Sequence, residues 1–179
     1  YYYLGNLWYD KRQYAEAIAA WEKSIEQDDT FPTVLRNLSL AYFNKLGKQQ
    51  EAVALLERAF KLDIRDARIL MECDQLYKRL NRPHADRLAI LDKVKETAFS
   101  RDDLYLEYVT LLNQSGRYEE AIRMIDARRF HPWEGGEGKI PAQYQLARVE
   151  LVKACLKAGE NEKALALIEE CFVYPHNLG

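Results

Sequence analysis

The sequence predicts an all-α fold, an α–α superhelix or solenoid of about five helix-turn-helix repeats. Three observations predict it. One apolar skeleton returns five times, its copies stand at a near-constant step, and turn residues fall where each copy must reverse. The first copy holds Tyr1, Leu4, Gly5 and Trp8, then Ala17 and Trp21. The second holds Leu35, Leu38, Tyr42, Ala52 and Leu56, and the third Leu70, Cys73, Tyr77, Arg87 and Leu91. The fourth runs through Tyr105, Tyr108, Leu112, Ala121 and Ile125, and the fifth through Arg148, Leu151, Cys155, Ala164 and Ile168. From Leu4 to Leu38, Cys73 and Tyr108 the successive steps are 34, 35 and 35 residues, and the next, to Leu151, is 43.

Each copy is a helix pair that cannot bury its own apolar stripe, so neighbouring copies must stack to form a continuous core. The second helix of a pair carries small residues where it must approach closely: Ala17, Ala52, Ala121 and Ala164. Gly47, Asn81, Gly116 and Gly159 stand between the helices, where a left-handed residue ends the first of them. Ser100 followed by Asp103 predicts a capping box at the start of the fourth pair. Pro83 is placed to open the second helix of the third pair from its first turn.

Tyr1-x-x-Leu4-Gly5-x-x-Trp8 followed by Ala17-x-x-x-Trp21 resembles the tetratricopeptide repeat (TPR), whose pattern is W-x-x-L-G-x-x-Y and then A-x-x-x-F. The resemblance implies a single TPR domain over 1–179, with repeats near 1–31, 32–66, 67–100, 101–139 and 140–179. The opening YYYLGNLWYD has no initiator Met and no cap, so a helix is entered partway and a larger parent protein is expected.

Composition narrows the function. Across 179 residues, 26 Lys and Arg stand against 28 Asp and Glu, a net charge of -2 that gives no attraction for nucleic acid or an anionic membrane. No apolar run approaches the roughly 20 residues that span a bilayer. Neither nucleic acid nor membrane is therefore expected as a partner. Cys73, Cys155 and Cys171 form no CxxC or His/Cys ligand spacing, so they are read as reduced structural thiols in a cytoplasmic protein. No metal site, cofactor or catalytic residue is expected, because no Ser or Cys has a base at useful spacing. The acidic residues fall mostly on solvated helix faces.

In TPR proteins the first helix of each pair lines a groove that carries partner binding. The resemblance maps that face onto Tyr2, Asn6 and Tyr9 from the first pair and Arg36, Asn37 and Phe43 from the second. Arg68, Met71, Glu72, Gln75 and Lys78 follow from the third, then Leu106, Glu107, Thr110 and Asn113 from the fourth and Val149, Lys153 and Leu156 from the fifth. This mixture of aromatics, amides and charges suits a peptide or protein surface. Chaperone-binding TPR domains clamp a terminal carboxylate with Lys, Asn, Asn, Lys and Arg. Here Asn6, Asn37 and Arg68 match in type, but Tyr2 stands for the first Lys and Glu72 for the final Arg, which removes most of the attraction. In the third pair the family's facing small residues are replaced by Asp74 and Arg87, which are expected to form an ion pair between its two helices.

The stretch FHPWEGGEGK, 130–139, breaks the period. From Ala17 to Leu38 is 21 residues and from Ala121 to Leu151 is 30, which places an insertion of nine between the fourth and fifth pairs. It lacks the G-x-x-x-x-G-K-[S/T] spacing of a phosphate loop, and Glu134 and Glu137 would repel phosphate. HPWEGG, 131–136, aligns with YPHNLG, 174–179, at an offset of 43, the step between the last two repeats. His131, Trp133, Glu134, Tyr174 and His176 are thus expected to form a loop interface, the alternative being an inert connector in which Pro stops the helix and the glycines permit the turn. RRFHPWEGGEGK, ECDQLYKRL and YPHNLG resemble the TPR portion of a bacterial family in which a mutarotase-like β-sandwich precedes the repeats. That resemblance implies a carbohydrate-associated setting, and the chain's own N-terminal β-sandwich as one partner. Two functions follow: a non-catalytic scaffold for protein–protein or interdomain contact, and an accessory region whose loops touch carbohydrate.

Overall fold

A computed structural model describes residues 1–173 and 175; Tyr174 and His176, expected in the loop interface, lie outside the described residues. All regular structure among the described residues is helical. The chain divides into two compact units, Tyr1–Arg82 and the remainder from Pro83.

The first unit contains α1 (Tyr2–Asp10), α2 (Tyr14–Gln27), α3 (Pro32–Ala41), α4 (Gln49–Leu62) and α5 (Ala67–Arg79). Helix α1 packs on α2 and α3 on α4, while α2 meets α3 and α4 meets α5, so consecutive pairs stack as the repeat arithmetic requires. Ala17, Ile18, Trp21, Val34, Leu38 and Ala41 form one core cluster. Val34, Leu35 and Leu56 are wholly buried, each worth about 1.5–3 kcal/mol of apolar burial. Gly5 lets α1 approach α2, because a Cβ there would stand 2.4 Å from the Trp21 ring. Asp66 caps α5, accepting from the amides of Arg68 and Ile69 at 2.9 and 3.0 Å.

A detail of spacing explains an irregular element. Leu4 to Ala17 is 13 residues, but Leu38 to Ala52 is 14, as is Cys73 to Arg87. After Leu38 the extra residue is taken up by a π-helical turn, Tyr42–Leu46, that extends α3. Gly47 then closes it at φ 65°.

The second unit contains α6 (His84–Lys93), α7 (Lys95–Ala98), α8 (Asp102–Gln114), α9 (Tyr118–Asp126), α10 (Lys139–Ala158) and α11 (Asn161–Glu170). Helix α8 packs on α6, α9 and α10, and α10 on α9 and α11. The single turn α7 brings Phe99 against the rings of Tyr105 and Tyr108, with centroids 4.9 and 5.1 Å away. Asn81, Gly116 and Gly159 all adopt the expected left-handed backbone, and Arg12 does so unexpectedly at φ 59°.

Two expectations are corrected. No capping box opens the fourth pair. Its first helix begins at Asp102 behind Arg101, the Ser100 hydroxyl turns back to the Thr97 carbonyl at 2.8 Å, and Asp103 binds Arg101 at 2.6 Å. The short helix α7 ends at Ala98, and its final turn claims Ser100 first. Leu106 and Asn113 are buried rather than groove-lining, with the Asn113 amide donating to the Gln143 carbonyl at 3.0 Å.

Candidate functional site

The groove residues expected from the first three pairs lie in the first unit, on α1, on α3 with its π-helical turn, and on α5. They meet in a hydrogen-bonded chain. The Asn6 side-chain carbonyl accepts from the Trp21 indole at 3.1 Å and from the Asn37 amide at 3.2 Å. The Asn37 carbonyl accepts from Arg36 at 3.2 Å. Arg36 grips Glu72 through two parallel contacts, Nε to Oε2 at 2.6 Å and Nη2 to Oε1. Three consecutive first helices are therefore bridged side chain to side chain. Bidentate pairing of this kind is directional and fixes both partners.

The aromatic members flank this chain. Tyr2 stands edge-on to Phe31 at 4.9 Å, and Tyr9 lies against Trp21 at 5.5 Å and Tyr14 at 5.2 Å. Phe43 sits on the π-helical turn with the Arg79 guanidinium 5.6 Å from its ring centre. Arg68 is mostly exposed, its Nε 3.5 Å from Glu72. Met71 is half-buried, and Gln75 and Lys78 are exposed. Glu72 explains in geometry why a carboxylate clamp does not fit. It already neutralises Arg36, the cation hydrogen-bonded to Asn37.

Asp74 lies in the first unit and Arg87 in the second, and both are almost wholly buried. Within the second unit Arg87 meets Glu107 at 2.6 Å, a partner that the repeat comparison does not reveal. Burial pushes the Cys73 thiol up to about 12, aided by the nearby carboxylates of Glu57, Glu72 and Asp74, so it stays protonated. Cys73, Cys155 and Cys171 are free thiols.

The glycine-rich loop lies between Asp126 and Lys139 and is anchored at its entry. The Asp102 carboxylate accepts the His131 amide at 2.8 Å and the Arg128 Nε at 2.6 Å, with the His131 ring Nδ1 at 3.3 Å. Arg128 also donates to the Phe99 carbonyl at 2.8 Å, and Phe130 is buried against Tyr105. Burial of Asp102 opposes its charge, but the His131 amide and Arg128 outweigh it and hold the carboxyl below the usual carboxylate range. Part of the inserted length forms the start of α10, where Pro141 is tolerated because first-turn amides have no intrahelical partner. The loop encloses a cleft of about 490 Å³ lined by His131, Trp133, Glu134, Glu137, Ile140 and their neighbours. Trp133 lies over Gly136, where a Cβ would come within 2.3 Å of the indole.

Residues 1–31 match the family model for the tetratricopeptide repeat. Among solved structures, the chain is similar to YrrB, described as a TPR protein with an unusual peptide-binding site. They share 18% identity at a TM-score of 0.64, over 93% of this chain and 80% of that one. It is similar also to a structure of MamA, with 20% identity, a TM-score of 0.61 and 96% of each chain covered. A second MamA structure shares 16% identity at a TM-score of 0.60, over 94% of this chain and 92% of that one. Likeness at these identities is a likeness of fold. The class of protein is thereby defined: an all-α chain with the helix-turn-helix repeat fold of TPR proteins.

Proposed function

We propose that this chain is a non-catalytic scaffold that binds a polypeptide along the first-helix face of its first unit. The observation that carries the reading is the side-chain chain Asn6–Asn37–Arg36–Glu72, which spans α1, α3 and α5 and holds a polar strip in place before any partner arrives. Asn6 uses its carbonyl on Trp21 and Asn37, which leaves its amide N–H groups as donors for a peptide carbonyl. Tyr9 and Phe43 supply apolar contact on either side, while Arg68, Gln75 and Lys78 form a polar rim. The peptide-binding site described for YrrB lends the reading support from a chain of similar fold. The mutarotase-like β-sandwich implied by the sequence resemblance makes such a domain the first protein to test. Carbohydrate contact at the loop has less in its favour, since it rests on residue types alone.

The test is a selection of random peptides on the immobilised chain, followed by affinities for Asn6→Ala and Phe43→Ala. Each substitution is expected to weaken selected peptides about tenfold, roughly 1.4 kcal/mol, with helicity unchanged. Peptides that bind both variants as well as the parent would rule out the groove as their binding site.

A further inference from the structure

We propose that the cleft within the glycine-rich loop is a docking site for a cationic side chain, arginine or lysine, of a partner polypeptide. This inference is independent of the groove in the first unit.

Among the residues lining the cleft, Glu134 and Glu137 are carboxylates and none is Lys or Arg. Arg128, the cation bound into the loop's base, is already held by Asp102 and the Phe99 carbonyl. Arg129 and Lys139 are exposed on the flanks and do not line the cleft. An anion entering here would meet two like charges. A cation would meet two opposite ones and the face of an indole, the aromatic ring that attracts cations best.

Shape and rigidity point the same way. A volume of about 490 Å³ accommodates the long stem and head of an arginine or lysine with its neighbouring backbone. Ile140 and Pro141 give the stem an apolar wall, as long cationic side chains require. The lining is held before binding: the His131 amide is fixed to Asp102, Phe130 and Ile140 are buried, and Gly136 supports Trp133 from beneath. A site held in place loses little entropy when a ligand arrives. Because both carboxylates are exposed, the attraction is screened by salt.

The experiment follows Trp133 emission in the full chain, with a Trp133→Phe variant subtracting the signals of Trp8 and Trp21. The probes are a short Gly/Ser peptide with one central arginine, its lysine counterpart, and the neutral citrulline analogue. The arginine and lysine peptides are expected to titrate saturably, with at least tenfold weaker binding for citrulline and for a Glu134→Gln/Glu137→Gln double variant. Both glutamates are exposed, so helical circular dichroism should not change in that variant. Added sodium chloride should weaken binding of the charged peptides alone. Equal affinity for the citrulline peptide, undiminished binding by the double variant, or a flat titration with the arginine peptide would each overturn the proposal. A saturable response to neutral oligosaccharide that ignores the glutamates would reassign the cleft to sugar.

Discussion

At Gly5 a missing side chain sets how closely two helices pack. A methyl there would press on Trp21, which is itself nearly fully buried, so Gly5→Ala is expected to cost about 1–3 kcal/mol in urea unfolding. Arg12 shows the opposite case. It holds φ 59° in a turn where three later turns carry glycine, so Arg12→Gly is expected to stabilise the chain by roughly 1 kcal/mol. Arg87 is buried against Glu107, and Arg87→Met is expected to cost about 3 kcal/mol by leaving a carboxylate without its cation. The expected Asp74–Arg87 pair predicts non-additive losses of more than roughly 0.5 kcal/mol in a double-mutant cycle, and additive losses would refute it. At this scale the sequence was legible wherever one position repeats in every copy. Gly47, Asn81, Gly116 and Gly159 were readable because each ends the same kind of helix. Glu107 was not, since ion-pair partners from neighbouring helices carry no periodic signal.

Elements show how the chain absorbs departures from its own period. One residue too many after Leu38 becomes a π-helical turn, and nine too many after Ala121 become a loop plus an early start to α10. Counting finds both irregularities, but counting cannot choose between a bulge in a helix and a longer loop. The failed capping box at Ser100 has a similar cause: α7 was not visible, and it claims the serine. The loop's staple has a pH dependence whose sign is fixed. Asp102 ionises more readily folded than unfolded, so its stabilising contribution is present above the unfolded value, about 4, and is lost as pH falls through the lowered folded one. Acidification through that window is expected to lower the protection factor of the His131 amide, measured against its intrinsic exchange rate at each pH, while α8 and α10 stay protected. Asp102→Asn should bring the same loosening at neutral pH. A His131 amide that exchanges slowly in that variant would contradict the staple.

For the whole molecule, the fold class was legible because five copies of one skeleton leave few alternatives to stacked helix pairs. The likeness to YrrB and MamA agrees with that class. The groove was less legible. Its residues were named by their place in the repeat, but the Asn6–Asn37–Arg36–Glu72 chain needs side-chain geometry, since its members lie 31 and 36 residues apart in sequence. That chain makes the first-helix face of the first unit a prepared surface, and the proposed polypeptide binding lies there. Hydrogen-exchange mass spectrometry with a selected peptide bound tests it most directly. Slowed exchange confined to α1, α3 with its π-helical turn, and α5 is the predicted result. Protection on α2 and α4 with those helices unchanged would contradict it.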